Sequence, residues 1–249
     1  MKLYLTPIFL LTLFLSCQKE PKKYASNIEV AHQKTAFISK EAVSFDIILK
    51  FGGNERLNGK ITLLTNSGKG LIELNNGHKI YYNQDKVFYS PEIENTKSIR
   101  FDAYTWSYFF LFPYKLSDEG TVWNDYPYKK LNGKDYLTQK LSFAAGTGDA
   151  PDDWYITYAN PKTNLLEIAA YIVTANKTLE EAESDPHAIQ YSDYKIIDGV
   201  PIAHHWTFWG WNAEKGLTNQ LGESTLNNIV FLTPDSALFI PPSNYLEIN

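Results

Sequence analysis

The chain is nearly devoid of sulfur, with one cysteine and one methionine in 249 residues. A single thiol excludes an internal disulfide, a Cys-type zinc site and paired redox cysteines, so the core must hold the fold without covalent staples. Cations are also scarce: 23 Lys and Arg stand against 28 Asp and Glu, for a net charge of −5. That balance argues against nucleic acid as a partner, because its binders concentrate Lys and Arg. Beyond the first 15 residues no apolar run approaches the roughly 20 residues needed to span a bilayer. No G-x-S-x-G elbow and no H-E-x-x-H pair occur, which removes two common hydrolase signatures. Nor is there an internal repeat, or a linker polar and long enough to divide the chain.

The lone cysteine is informative by its place. Lys2 is followed by an apolar run over residues 3–15, broken only by Tyr4, Thr6, Pro7 and Thr12, and then by Ser16 and Cys17. A charged start, about a dozen apolar residues and a small residue before the cut describe a secretory signal. A cysteine directly after that small residue is the pattern of a bacterial lipoprotein, whose thiol takes a diacylglyceryl group. The run is too short for an uncleaved anchor. The expected organisation is a signal peptide over residues 1–16, a lipidated cysteine with a charged tether over 17–26, and a β-rich domain over 27–249. Cleavage removes Lys2 and leaves 233 residues (249 − 16) at a net charge of −6. The expected location is the cell envelope, as an outer-membrane lipoprotein held to the membrane by its acyl chains, at on the order of 0.8 kcal/mol per buried methylene.

What the chain has in plenty is aromatic residues: 17 Tyr, 14 Phe and 6 Trp. Such a composition favours strands over helical bundles. Ile28, Ala31, Thr35 and Ile38 share one helical face, predicting a helix over residues 27–40. Val43, Phe45, Ile47, Leu49 and Phe51 alternate with the period of a half-buried strand. Gly52-Gly53-Asn54, Ser67-Gly68 and Asn76-Gly77 mark tight turns, so a meander occupies residues 43–89. Residues 98–111 return to helical spacing with apolar residues almost all round, a helix that must lie on a sheet, and Pro113 ends it. The second half is strand-rich, with a short acidic helix over 178–184 and a hairpin across Asp198-Gly199. About ten strands with two or three helices make one α+β domain on a curved antiparallel sheet.

Two groups of residues are candidates for chemistry. Asp149, Asp152 and Asp153, with His187 behind Asp185-Pro186, offer oxygen ligands and an imidazole for a hard cation such as Ca²⁺. The spacing does not match an EF-hand, and the plainer alternative is a solvated turn whose carboxylates cap backbone amides. His204 and His205 are adjacent in a strand and point to opposite faces. The second group is aromatic. Trp106, Phe109, Phe110 and Phe112 cluster on the apolar helix; Trp206 and Phe208 share one face of a strand, and Trp209 and Trp211 the other. These rings either form the core between helix and sheet or line an apolar pocket.

Several segments carry a resemblance. Arg100-Phe101-Asp102-Ala103-Tyr104-Thr105-Trp106-Ser107-Tyr108-Phe109-Phe110, residues 146–155, Asp185-Pro186-His187-Ala188-Ile189-Gln190-Tyr191, and Asp198-Gly199-Val200 with His205-Trp206-Thr207-Phe208 look like the blocks of an uncharacterised Bacteroidota lipoprotein family. In element order the chain is also similar to the periplasmic lipoprotein-carrier (LolA-like) fold. That resemblance implies an incomplete barrel with its helices on the concave side, around a cavity that accepts acyl chains. The functional expectation is a non-enzymatic envelope lipoprotein. It would bind an acyl chain or lipid in a pocket lined by Trp106, Phe109, Phe110, Trp206 and Phe208. The alternatives are a metal-assisted hydrolase or lyase built on Asp149, Asp152, Asp153 and His187, and a surface lipoprotein that binds a glycan or partner through exposed Trp side chains.

Overall fold

The computed structural model describes residues 20–248; the expected signal peptide and Cys17 lie outside the described residues. The chain enters as helix α1 (Glu20–Ala31) and, after a break, α2 (Lys34–Ile38). The break falls at Gln33, in the left-handed region at φ 57°, so the single helix expected over 27–40 is two. The tether expected up to residue 26 is helical from Glu20, and Tyr24 and Ala25 are buried. The folded body therefore reaches back to within three residues of Cys17.

A meander follows, β1 (Ala42–Phe51), β2 (Asn54–Leu64), β3 (Lys69–Leu74), β4 (Lys79–Asn83) and β5 (Lys86–Tyr89). Helix α3 (Ile99–Leu111) then runs into a 3-10 turn, Phe112–Tyr114, where Pro113 removes the next amide donor. The second half adds β6 (Thr121–Asp125), β7 (Lys129–Leu131), β8 (Lys134–Phe143), β9 (Tyr155–Ala159) and β10 (Leu166–Tyr171). Helix α4 (Leu179–Ser184) opens on a capping box in which Thr178 and Glu181 satisfy each other's amides. The long strands β11 (His187–Ile197), β12 (Val200–Asn212) and β13 (Gly216–Leu232) follow, and β14 (Leu246–Ile248) closes the series. Asp198 and Gly199, both at positive φ, turn β11 into β12 as the sequence predicts.

All fourteen strands belong to one antiparallel sheet. Its order is β14-β5-β4-β3-β2-β1-β13-β12-β11-β10-β9-β8-β6, with β7 paired to β8 off that path. The ends do not meet, so the sheet is not closed into a barrel. Among the described residues there are four strands more than expected, and four α-helices rather than two or three. The extra strands are short or polar, such as β6, β7 and the first half of β13, and carry little alternation.

Curvature follows from what α3 touches. Tyr104 lies against Tyr82 of β4 (5.4 Å between ring centres) and Tyr108 against Tyr155 of β9 (5.9 Å). Eight strand steps separate β4 from β9, about 38 Å on a flat sheet at about 4.8 Å per step. Two residues one helical turn apart cannot bridge that distance, so the sheet curls around the helix. Phe45, Ile47 and Leu49 of β1, Trp206 and Phe208 of β12 and most of α3 share one core cluster inside the curve. A second cluster, Tyr158, Ile168, Ala170 and Trp211, covers the outside of β9–β12. A third, Leu71, Tyr81 and Phe239, lies outside β3 and β4.

Close backbone approach explains one glycine. A Cβ on Gly59 would lie 2.2 Å from the Glu73 carbonyl oxygen of the paired strand β3. Gly59→Ala is expected to cost about 1–3 kcal/mol, the usual range for forced overpacking, read as a lower urea midpoint at unchanged slope.

Candidate functional site

Helix α3 occupies the hollow side of the sheet, and its aromatic rings decide how much of that hollow is left. Phe110 stacks on Phe45 (4.4 Å, 16° between planes). Trp106 meets Phe208 edge to face at 6.0 Å and Phe51 at 6.3 Å. Phe109 packs on Tyr171 (5.0 Å) and Phe208 (5.9 Å), and its carbonyl accepts from the Tyr191 hydroxyl at 3.0 Å. Trp106, Phe109, Phe110, Trp206 and Phe208 are 3, 3, 4, 1 and 0 % exposed. The five candidate ligand-binding residues thus meet in one place, as core. Trp209 and Trp211 belong to the outer cluster, which matches the face assignment made from strand alternation.

The hollow is filled in this conformation. A cavity of about 10 Å³ remains, lined by His32, Phe110, Tyr114, Tyr191, Tyr194 and Trp206. That is room for about one water, whereas drug-sized ligands need at least about 300 Å³. A larger dish of about 660 Å³ is open to solvent, with Ile47 and Ile48 set among Asp46, Lys60, Glu73 and Asn228. It lacks the apolar body an acyl chain requires.

The small cavity has an unusual wall. His32 sits at the α1–α2 break, fully buried, with Tyr114 and Tyr194 edge-on to its ring at 5.9 and 5.5 Å. Its Nε2 accepts the Leu166 amide at 3.0 Å, so Nδ1 carries the proton of the neutral ring. That Nδ1–H faces the Pro201 carbonyl without closing a hydrogen bond of good geometry; the carbonyl accepts from the Tyr114 hydroxyl at 3.2 Å instead. Burial lowers the His32 pKa to about 3, against a weak opposing pull from Pro201. Ser224 on β13 also buries a hydroxyl that lacks a partner, an uncommon state for interior polar atoms; the Ser107 hydroxyl of α3 lies against that of Tyr82.

Polar contacts hold α3 by its N-terminal half. Arg56 of β2 places Nη2 2.6 and 2.8 Å from the two Asp102 carboxylate oxygens, and the Trp106 indole donates to Asp102 Oδ1 at 2.9 Å. Burial nevertheless pushes the Asp102 carboxyl up, outweighing the pull of Arg56. On the other side Arg100 donates through Nη2 and Nε to Asp149 Oδ1 at 2.5 and 3.2 Å, and through Nη1 to the Asp85 carbonyl at 2.9 Å. The helix is thus clasped to β2 and to the β8–β9 loop.

That clasp accounts for one of the four candidate metal ligands, and the others point elsewhere. Asp153 accepts the Thr174 amide and hydroxyl, each at 2.8 Å. Asp152 is exposed. His187 Nε2 stands 3.6 Å from Asp185 Oδ1. Among the described residues no group of three or more His, Cys, Asp or Glu side chains is placed to hold a metal ion. The acidic loop fixes α3 and a strand end instead, and no described helix is long and apolar enough to cross a membrane.

The architecture has relatives among known folds. It is similar to a LolA superfamily protein from Nitrosomonas europaea, with a TM-score of 0.57 and 7 % identity over 89 % of this chain and 97 % of that one. It is similar also to a putative outer membrane lipoprotein-sorting protein domain from Vibrio parahaemolyticus, with a TM-score of 0.53 and 14 % identity over 87 % and 97 % of the two chains. At these identities the likeness is one of fold, and the fold class is LolA-like. By sequence, residues 6–194 match the family of unknown function DUF6503, and the chain belongs to that family. No curated protein matches it.

Proposed function

We propose that this protein is a lipoprotein of the cell envelope, of Bacteroidota type and outer-membrane location, anchored through Cys17. It accepts an acyl chain in the space that α3 fills when the protein is empty. The observation that carries the reading is the mounting of α3: its rings plug the inside of a curled sheet, while ion pairs hold its N-terminal half to the surrounding strands. Rings withdrawn from the sheet leave an apolar trough of the kind that takes hydrocarbon. His32 Nδ1 and the Ser224 hydroxyl, both buried without a partner, supply polar atoms in its wall. The LolA-like fold supports the same reading by analogy of architecture.

Native mass spectrometry of the chain lacking residues 1–17 tests it. The expected result is a one-to-one complex with a fatty acid or phospholipid, either co-purified or added. A protein that carries none and leaves a fluorescent acyl probe unchanged overturns the proposal. Asp149→Asn sharpens the test. Its pair with Arg100 is partly exposed, so stability should change by no more than about 1 kcal/mol. Probe uptake in stopped flow should nevertheless accelerate, because one clasp on α3 is gone.

A further inference from the structure

The distance from Cys17 to the folded body is too short for a free tether, and this has a consequence for how the protein sits on its membrane. Two residues separate Cys17 from the start of α1 at Glu20. Three residue steps span at most about 11 Å, against a radius of gyration of about 17 Å expected for a domain of this size. A lipid on Cys17 therefore holds one side of the body against the bilayer, the side where α1 begins.

The residues on that side are identifiable. Tyr24, one turn into α1, places its hydroxyl 3.1 Å from the Leu137 carbonyl of β8, and its ring 5.6 Å from Trp123 of β6. The next residue of β8, Thr138, donates to the Pro127 carbonyl at 2.7 Å. Tyr24 thus meets β8 on its inner face, beside Leu137 and Trp123, while the β6–β7 connection meets it on the outer face through Thr138, so the two come together only along the sheet edge formed by β6 and β7. That connection reads Tyr126-Pro127-Tyr128-Lys129-Lys130. Tyr128 is 57 % exposed and Val122 of β6 43 %; Lys130 and Lys23 are exposed as well. Residues 126–134 hold three lysines between Asp125 and Asp135; Lys134 pairs with Glu167 and Lys129 donates to the Ala213 carbonyl, which leaves Lys130 as the free cation of the segment among the described contacts. Tyrosine and lysine side by side suit the headgroup layer, where the ring sits at the interface and the ammonium meets anionic lipid.

We infer that the β6–β7 edge, with Val122, Tyr128 and Lys130, is the face laid on the bilayer surface. The inference rests on the anchored reading above. Its test uses the chain expressed with its leader, purified with its lipid and reconstituted on phosphatidylethanolamine–phosphatidylglycerol vesicles. Hydrogen exchange is compared with the same protein in detergent micelles. Amides of residues 120–131 and of the first turn of α1 should exchange more slowly on vesicles. A Tyr128→Ser, Lys130→Gln double variant should lose that protection while its melting temperature stays unchanged. Protection elsewhere or nowhere, with lipid present on Cys17 by mass spectrometry, overturns this inference and leaves the anchored reading intact. An unmodified Cys17 overturns both.

Discussion

Truncating Phe110 to alanine should lower stability by about 3–5 kcal/mol, the range for removing a buried phenyl ring, and yet tighten binding of an acyl ligand. The first effect follows from packing. Phe110 stacks on Phe45, lies 6.3 Å from Phe37 and lines the residual cavity. At about 2–4 °C per kcal/mol for a domain of this size, the melting temperature should fall by roughly 6–20 °C. The second effect follows from the proposal. A ring that occupies ligand space competes with the ligand, and its removal leaves a hollow already open, so added ligand should restore part of the lost stability. Trp211→Ala is the matched control, since it removes a buried ring from the outer cluster and should destabilise comparably with no change in affinity. Urea melts paired with acyl-probe titration read both quantities. Equal probe affinity in Phe110→Ala and the parent would mean that α3 does not stand in a binding space.

Acid is the second strong lever. His32 is neutral in the fold, with its pKa lowered to about 3 by burial, whereas an unfolded chain titrates it near 6.5. Below pH 6.5 the unfolded chain gains a proton that the folded one refuses. Stability from this group is therefore complete above about pH 6.5 and falls as the pH drops toward 3. At about 1.4 kcal/mol per unit the full loss is roughly 4–5 kcal/mol. The aromatic neighbours Tyr114 and Tyr194 bring no charge that would offset the proton, because burial pushes both phenols up. His32→Gln keeps an acceptor for the Leu166 amide and removes the titration. The difference in unfolding free energy between variant and parent should change by several kcal/mol across that window. Parallel curves would place His32 in contact with water.

Much of this architecture was legible in the residues. The alternation of Val43 to Phe51, the Asp198-Gly199 turn and the acidic run over 178–184 are local signals, and each names its own element. The apolar helix was equally plain, because only contact on nearly all sides explains Trp106, Phe109, Phe110 and Phe112 together. Local signals failed where the structure depends on distant partners. Residues 216–227 carry no clear alternation, yet they pair with β12 and β1 along their length. Gln33 breaks a helix that periodicity would continue, so that His32 can reach Leu166, 134 residues away. The aromatic cluster was legible and its close packing was not: strand spacing fixes the face a ring points to, not the gap between facing rings. Likewise Asp149 and Asp153 resemble ligands until Arg100 and Thr174, 49 and 21 residues distant, take them up.

The sheet is also unevenly upholstered. Its two wings, β9–β12 and β3–β4, carry apolar cover on both surfaces, whereas the outer surface of β1 and β13 between them presents Ile48 and Val230 to solvent. Register irregularities fall on the ladders of β1, β13 and β12, between Ser44 and Asp46, Leu49 and Lys50, and Phe208 and Trp209, with a further one between Leu166 and Ile168 in the β9–β10 wing; bulges soften a ladder. The molecule is built like a book, two stiff boards on a thin spine. Any widening of its interior would come from flexing that spine, with neither board unfolding.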